Sequence, residues 1–162
     1  MPRIYISIGS NIDRNVNIRA GIAALHACFG DLVISSVYES QPVGFTGDNF
    51  YNLVVGFNTA QGVHDVNTRL HDIEHHHGRA RNGQRFNSRT LDLDLLLYGD
   101  FVIHEHDLTV PRDEILRYAF VLCPLAEIAG GEKHPLNGKS YATLWHEFEK
   151  HTQPLWAVSF EW

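Results

Sequence analysis

The sequence predicts an α+β fold with a ferredoxin-like βαββαβ core, in which helices pack on an antiparallel sheet, followed by extra C-terminal hairpin and helical elements. Two observations predict this class. Segments with strand-like alternation of apolar residues and segments with helical spacing follow one another in the order β-α-β-β-α-β. The chain has 162 residues, 44% of them hydrophobic, with no repeat or flexible linker, so we expect one domain over 1–162.

The first half of the chain is expected to supply three strands and one helix. Isoleucines at alternate positions predict a strand at 3–9, and apolar residues at 4-3-4 spacing predict a helix at 14–29. A Gly-Asp pair ends that helix, and β-branched and aromatic residues predict strands at 32–39 and 50–57. The intervening segment, 40–49, contains one proline and two glycines and is expected to be a loop.

The second half is expected to continue with a helix, a strand and several shorter elements. Apolar residues at 3-4-3 spacing predict a helix at 63–77, and an apolar run predicts a strand at 91–98. A Gly-Asp turn should lead into a short return strand at 101–104. The remaining chain is expected to form helices at 118–128 and 141–150 and a closing strand at 157–160.

The composition excludes several classes of protein. A chain with 44% hydrophobic and 20% charged residues has an ordinary globular composition, which excludes global disorder, a collagen helix and a coiled coil. No apolar run approaches the roughly 20 residues of a membrane span, and the N-terminal segment lacks the apolar run of a signal peptide. Cys28 and Cys123 have no neighbouring cysteine, so we expect buried free thiols and a cytoplasmic protein.

The positive charge is concentrated in one segment. The net charge of −6 argues against general nucleic-acid binding. Residues 75–91 nevertheless contain four arginines and no acid, which makes this window +4 and the remainder −10. Arginine is suited to bidentate contact with phosphate oxygens. The segment therefore indicates a small polyanionic ligand.

Two aspartates follow the arginines directly. Asp92 and Asp94 are two residues apart in a predicted strand, so they should share one face while the leucines between and beside them enter the core. Neighbouring carboxylates are suitable ligands for Mg²⁺, which completes its octahedron with water and phosphate oxygens. The alternative is a surface cluster of Arg–Asp ion pairs with little energetic effect.

Other candidate motifs are less specific. Gly9-Ser10-Asn11 follows a strand and is either a phosphate-binding turn or an ordinary one. Phe50 and Asn52 share a strand face that suits a planar heterocycle, although an Asn satisfied by the backbone is equally compatible. Consecutive histidines on a helix point about 100° apart, so among the histidines near residue 75 only His71 and His75 are spaced to bind one metal ion.

The sequence resembles the 6-hydroxymethyl-7,8-dihydropterin pyrophosphokinase family of folate biosynthesis. The matching segments are IGSN at 8–11, YES at 38–40, NFYN at 49–52, RARNGQRFNSRTLDLDLLLY at 79–98, VP at 110–111 and FVLCPLAEI at 120–128. The resemblance implies an ATP-binding transferase that moves the β,γ-diphosphate of ATP to the hydroxymethyl group of the pterin and releases AMP.

The resemblance also assigns residues to roles. It implies two Mg²⁺ ions bound by Asp92 and Asp94, and transfer stabilised by Arg79 and Arg89. The further ATP contacts that it implies are His71, Glu74, Arg81, Arg85, Leu95, Thr109, Arg112 and Arg117, with Arg81 and Arg85 on a loop that closes over ATP. The pterin pocket that it implies, with the ring held between aromatic side chains, consists of Ser40, Gln41, Val43, Phe50, Asn52, Phe86, Asp92 and Phe120.

Three positions depart from the family pattern. Arg112 stands where the family has a histidine, and Phe86 stands where tryptophan is frequent. Tyr118 stands where the family has a phosphate-contacting arginine, and Arg117 lies one residue earlier. We expect Arg112 and Arg117 to contact phosphate in compensation. The alternative is that both are solvated and pair weakly with neighbouring acidic residues.

Two other functions stay open at the level of sequence. One is a non-catalytic or altered-specificity paralogue that binds a pterin or a nucleotide, and the other is a small metal-binding protein that uses the histidines. For the pyrophosphokinase reading, the expected partners are ATP and 6-hydroxymethyl-7,8-dihydropterin, without nucleic acid or membrane, and the expected state is a monomer.

Overall fold

The computed structural model describes residues 1–77 and 90–162. None of the helices in these two segments is long and apolar enough to cross a membrane. In chain order, the described elements are β1 (Arg3–Ser10), α1 (Arg14–Phe29), β2 (Val33–Ile34), β3 (Val37–Ser40), β4 (Phe50–Asn58), α2 (Val63–His76), β5 (Asp92–Tyr98), β6 (Ile103–His104), β7 (Thr109–Val110), α3 (Glu114–Arg117), α4 (Ala119–Ala129), α5 (Tyr141–Glu147), a 3₁₀ turn (Lys150–Thr152) and β8 (Leu155–Val158).

The main sheet is antiparallel, with β1 and β4 at its centre. Its strand order is β5–β1–β4–β3–β8, and β2 pairs with β4 beside β3. β1 pairs with β4 on one side, where Ser7 lies opposite Val54, and with β5 on the other, where Ser7 lies opposite Asp94. The predicted α+β class, an antiparallel sheet with helices packed on it, is confirmed.

One face of the sheet is apolar along its length. The alternating isoleucines of β1 point to this face, together with leucines of β5 such as Leu93 and Leu95. α1 and α2 cover it with Ile18, Leu25 and Leu70, all fully buried. Burying a leucine or isoleucine side chain stabilises the fold by roughly 1.5–3 kcal/mol, so this layer fixes the register of the strands that carry the candidate site.

Within residues 1–77 and 90–162, helices cover the opposite face at one end. There α4 packs on Tyr5 and Val54, which are buried. Glu127 ties α4 to β3, since its carboxylate accepts hydrogen bonds from Tyr38 Oη at 2.6 Å and from the amide and hydroxyl of Ser36 at 2.9 and 3.0 Å. At the other end of the same face, Asp92 and Asp94 are only half-buried. This open end is where the candidate site lies.

The strand predicted at 32–39 is divided into β2 and β3. The interruption falls at Ser35 and Ser36, whose side chains replace regular backbone pairing. The Val54 amide donates to the Ser35 hydroxyl at 2.9 Å, and Ser36 donates to Glu127. Hydroxyl side chains often compete with the backbone in this way, which the apolar pattern alone does not reveal.

The predicted return strand does not pair with β5. Ile103 and His104 form β6 and pair instead with β7. The segment after β7 lies against the outer edge of β5, where the Arg112 amide donates to the Leu96 carbonyl at 3.0 Å. The turn at residues 99–100 thus starts an excursion that brings Arg112 to the sheet.

The remaining differences concern the ends of elements and two thiols. The helix predicted at 141–150 ends at Glu147, a separate 3₁₀ turn covers Lys150–Thr152, and β8 spans Leu155–Val158 instead of 157–160. Phe160 lies beyond the strand and packs on Tyr51, with ring centroids 6.1 Å apart. Cys28 and Cys123 are free, as predicted, but half-buried.

Candidate active site

A row of paired residues crosses four strands of the sheet and ends at its open end. Tyr38 on β3 lies opposite Asn52 on β4, which lies opposite Gly9 on β1, which in turn lies opposite Asp92 on β5. Paired residues of an antiparallel sheet are about 5 Å apart and project on the same side. The row therefore places a carboxylate about 10 Å from an amide, with a glycine between them.

Asp92 and Asp94 occupy one face of β5, as the sequence predicts, while Leu91, Leu93 and Leu95 are buried on the other. The pKa of Asp94 is raised from 3.8 to about 7. The main cause is burial, which removes water from around the carboxylate even though 28% of the side chain is exposed. The second cause is the negative charge of Asp92. The two carboxylates therefore disfavour each other's ionised form, a situation that a bound cation would relieve.

Arg112 reaches this carboxylate pair from the side. Its Nη2 atom lies 3.5 Å from Asp94 Oδ1, and its Nε donates to Glu114. The two acidic partners raise the pKa of Arg112 against the lowering effect of burial. Of the two sequence-based alternatives, a phosphate contact or pairing with neighbouring acidic residues, the structure contains the pairing with Glu114 and adds a contact with Asp94.

The preceding helix contributes Glu74 beside the same strand. Glu74 is 3% exposed, and its Oε2 accepts a hydrogen bond from the Leu93 amide at 2.8 Å. This contact places a third carboxylate next to the backbone between Asp92 and Asp94. His71, one turn earlier on α2, is exposed. The side chain of Leu95 lies in the core, so only its backbone is oriented for contact with a ligand.

Three of the residues predicted to form the pterin pocket, Ser40, Phe50 and Asn52, lie together where β3 pairs with β4. Asn52 is 5% exposed and donates through Nδ2 to the Ser40 hydroxyl at 2.8 Å. A Cβ atom at Gly9 would lie 3.3 Å from Asn52 Oδ1 and 3.7 Å from Phe50 Cδ1. The absence of a side chain at Gly9 therefore leaves a cradle on the sheet that is bordered by an amide oxygen and an aromatic ring.

Phe50 and Phe120, two predicted pocket residues, each contact another aromatic ring. Phe45, in the 40–49 loop, contacts Phe50 edge to face, with ring centroids 6.2 Å apart. Phe120 is half-buried on α4 and stacks on Tyr118, with ring centroids 5.1 Å apart.

Arg117 is 53% exposed, and its guanidinium lies 5.4 Å from the centroid of the Tyr118 ring and 3.5 Å from Glu114.

The Gly9-Ser10-Asn11 motif connects the segments that flank the site. Ser10 Oγ donates to the Thr90 carbonyl at 2.6 Å, just before β5. Asn11 Nδ2 donates to the Asp48 carbonyl at 3.0 Å and so contacts the 40–49 loop. Gln41 and Val43, predicted pocket residues of the same loop, are exposed. These bonds make the motif an anchor for loops.

Several predicted site residues lie outside the described part of the chain. These are Arg79, Arg81, Arg85, Phe86 and Arg89, together with the loop predicted to close over ATP. Thr109 is described, and it is half-buried in β7.

The histidines do not form a metal centre within residues 1–77 and 90–162. No group of three or more His, Cys, Asp or Glu side chains there could hold a metal ion. His75 and His76 are exposed on α2, and His64 lies 3.4 Å from Glu105. For the described residues, the alternative function based on histidines therefore lacks a site.

Sequence reasoning missed three contributors to the site. Glu114 holds the Arg112 guanidinium, Phe45 contacts Phe50, and Tyr38 links the pocket strand to α4. For Glu114 the sequence offered weak pairing between Arg112 and neighbouring acidic residues, but not a position beside the carboxylate pair. Phe45 carried no signal, because a single aromatic residue in a loop has no periodic context.

Comparison with known proteins agrees with the resemblance drawn from the motifs. A 38% identical relative from Bacillus subtilis, 2-amino-4-hydroxy-6-hydroxymethyldihydropteridine pyrophosphokinase, matches over 128 residues, which are 76% of this chain and 76% of that protein. The Haemophilus influenzae protein of the same name is 33% identical over 93% of this chain and 96% of its own length. A folate synthesis bifunctional protein of Arabidopsis thaliana is 32% identical, and the chain spans 31% of it.

Solved structures and a family model complete the comparison. The fold matches a Plasmodium falciparum HPPK-DHPS crystal structure with a TM-score of 0.71 and 14% identity, over 91% of this chain and 43% of that one. The sequence model of 7,8-dihydro-6-hydroxymethylpterin-pyrophosphokinase matches residues 5–130, which run from within β1 through α4 and include every candidate site residue. The chain belongs to the 7,8-dihydro-6-hydroxymethylpterin-pyrophosphokinase family.

Proposed function

We propose that this chain transfers the diphosphate of ATP to the hydroxymethyl group of 6-hydroxymethyl-7,8-dihydropterin in folate biosynthesis. The hydroxymethyl oxygen forms a bond with the β-phosphorus, and the bond from that phosphorus to the oxygen bridging to the α-phosphorus breaks. AMP leaves with the electron pair of that bond, and the hydroxyl proton is released. The acting unit is the single domain over 1–162, which we propose to be a monomer.

The observation that carries this proposal is the row from Asn52 through Gly9 to Asp92. It puts a cradle for a flat ring at Gly9, between an amide and a carboxylate that lie about 10 Å apart on one open sheet face. That separation suits a substrate whose ring binds at one end and whose reacting group faces the phosphates at the other. A binding protein for a pterin alone has no need of the carboxylate pair.

The residues present fit Mg²⁺. Asp92 and Asp94 offer hard oxygen donors that are half-exposed. Burial and, second, the charge of Asp92 raise the pKa of Asp94 to about 7, and a cation between the two carboxylates would relieve their repulsion. When bound with ATP, Mg²⁺ would withdraw negative charge from the phosphates. We propose two ions, as in the family, with water and phosphate oxygens completing their ligands.

The chain's own residues then have separate tasks. Arg79 and Arg89 are proposed to contact the transferred phosphates and stabilise the charge that moves during transfer. Glu74 positions β5 through the Leu93 amide. The remaining proposed ATP contacts are His71, Arg81, Arg85, the backbone at Leu95, Thr109, Arg112 and Arg117.

The pterin end of the site uses shape and hydrogen bonding. Asn52 is held by Ser40, so its amide is preorganised for the polar edge of the ring. Phe50 and Phe120 are proposed to contact the ring faces, with Phe86 completing the aromatic enclosure. Gln41 and Val43 are proposed to border the pocket from the loop.

The test is the formation of AMP from ATP by the purified chain, with and without 6-hydroxymethyl-7,8-dihydropterin. The proposal expects AMP and the pterin diphosphate in equal amounts, only when both substrates and Mg²⁺ are present. ATP consumption that yields ADP, or that proceeds equally without the pterin, would contradict it. Removal of Mg²⁺ with EDTA should stop the reaction, and added Mg²⁺ should restore it.

A further inference from the structure

Arg112 is held in a position that the proposed reaction does not by itself require. Its backbone is fixed, because its amide donates to the Leu96 carbonyl at 3.0 Å and its own carbonyl accepts from the Ile115 amide at 3.2 Å. Its guanidinium divides its nitrogens between two carboxylates, with Nη2 at 3.5 Å from Asp94 and Nε bonded to Glu114. Arg112 is therefore already a counter-ion of a proposed metal ligand.

We propose that Arg112 is the internal counter-cation of Asp94, and that a divalent cation must displace it before Asp94 becomes a ligand. This inference rests on the proposed function, which assigns Asp92 and Asp94 to the metal. A guanidinium next to Asp94 Oδ1 occupies one of the oxygen atoms that the metal needs and repels the incoming ion. Arg112 thus lowers the affinity of the site for a free divalent cation.

Glu114 makes this displacement feasible. It bonds Nε, whereas Asp94 faces Nη2, so release of Asp94 leaves the guanidinium with a partner. The released Nη2 can then donate to a phosphate oxygen. As a result, the site favours a metal ion that arrives with a polyphosphate over a metal ion that arrives alone.

The experiment measures the binding of Mn²⁺ alone to the unliganded protein by electron paramagnetic resonance at about pH 8. Arg112→Gln removes the charge but keeps most of the side-chain length, and we expect it to tighten Mn²⁺ binding about fivefold or more. Arg112→Lys keeps the charge and should stay close to wild type. The matched control is Arg117→Gln, because Arg117 also contacts Glu114 but is 53% exposed.

A second readout separates this effect from damage to the fold. Without metal, Arg112→Gln should lower the melting temperature, because Asp94 loses its cationic partner beside Asp92. Added Mn²⁺ should then raise the melting temperature of Arg112→Gln by more than it raises that of the wild type. Unchanged or weaker Mn²⁺ binding in Arg112→Gln, or equal tightening in Arg117→Gln, would overturn the inference. Mn²⁺ binding that survives unchanged in Asp94→Asn would overturn the metal site of the proposed function and this inference with it.

Discussion

The two ends of one sheet face treat their acidic groups in different ways. At the end covered by α4, the buried Tyr5 hydroxyl donates to Glu132, and Glu127 receives three hydrogen bonds from Tyr38 and Ser36. At the open end, Asp94 lies beside the like charge of Asp92, and its pKa is raised to about 7. The carboxylates at the covered end accept hydrogen bonds from neutral donors, whereas Asp94 at the open end lies beside a second carboxylate as well as the guanidinium of Arg112.

The difference indicates which carboxylates serve the fold and which serve a ligand. A carboxylate that accepts several hydrogen bonds links two elements and stabilises them. Two neighbouring carboxylates repel each other, and since the pKa of Asp94 stays raised despite Arg112, a bound cation would relieve a repulsion that Arg112 offsets only in part. The variants below test this contrast.

The largest expected effect is loss of turnover in Asp94→Asn. An amide keeps the shape of the side chain but supplies no negative charge to a metal ion, so we expect kcat/KM to fall about a thousandfold or more. The measurement is AMP formation under saturating Mg²⁺. Asp100→Asn, which changes an exposed acid at the turn after β5, is the control and should keep wild-type activity. Substantial activity in Asp94→Asn would contradict the assignment of the open-end carboxylates to a ligand that the reaction needs.

The same substitution should stabilise the metal-free protein. The pKa of Asp94 rises from 3.8 to about 7 on folding, so the folded state binds more protons than the unfolded state in that range, and stability is lost as the pH increases through it. Asp94→Asn removes this cost. At about pH 8 it should be about 1–2 kcal/mol more stable than wild type, with a smaller difference at about pH 5.

Urea denaturation at the two pH values, with EDTA present, measures this effect. Asp100→Asn serves again as the control and should show no such pH-dependent gain. A stability gain for Asp94→Asn that is equal at both pH values would contradict the ionisation argument, since only a charge-dependent cost changes with protonation.

The sequence predicted the covered layers and the carboxylate pair because both follow from local periodicity. Period two places Asp92 and Asp94 opposite the buried leucines, and helical spacing identifies α1 and α2. The contacts of Arg112 could not be predicted in this way. They depend on the excursion from residue 99 to residue 112 that returns the chain to the free edge of β5.

The same limit applies to the interruption of the strand at 32–39 and to the glycine cradle. In the sequence, Ser35 and Ser36 are indistinguishable from ordinary strand residues. Their hydrogen-bond partners, Val54 on β4 and Glu127 on α4, are distant in the chain. Gly9 reads as a turn residue, and its role becomes visible only when strand pairing brings Asn52 next to it. Residues whose function depends on a neighbouring strand leave little signal in their own segment.

A smaller effect is expected from Gly9→Ala, which fills the cradle. The new Cβ would lie 3.3 Å from Asn52 Oδ1, in the space assigned to the pterin. We expect the KM for the pterin to rise about tenfold, with little change in the KM for ATP, because the added methyl group lies one strand away from the carboxylates. Gly131→Ala is the control, since a Cβ there meets no described atom within 4 Å. Equal increases in both KM values would mean that Gly9 serves the fold and not the pocket.

The smallest effects are expected at the covered end. Tyr5→Phe removes the hydrogen bond to Glu132, which is exposed and can bond water instead, so unfolding should become easier by about 0.5–1.5 kcal/mol. Tyr141→Phe should change stability less, because the buried Tyr141 hydroxyl has no hydrogen-bond partner among the described residues. Both variants should keep wild-type kcat and KM, since neither residue lies in the row from Asn52 to Asp92. Denaturation curves and steady-state kinetics on the two variants check this, and a loss of activity larger than the loss of stability would show that the covered end takes part in the reaction after all.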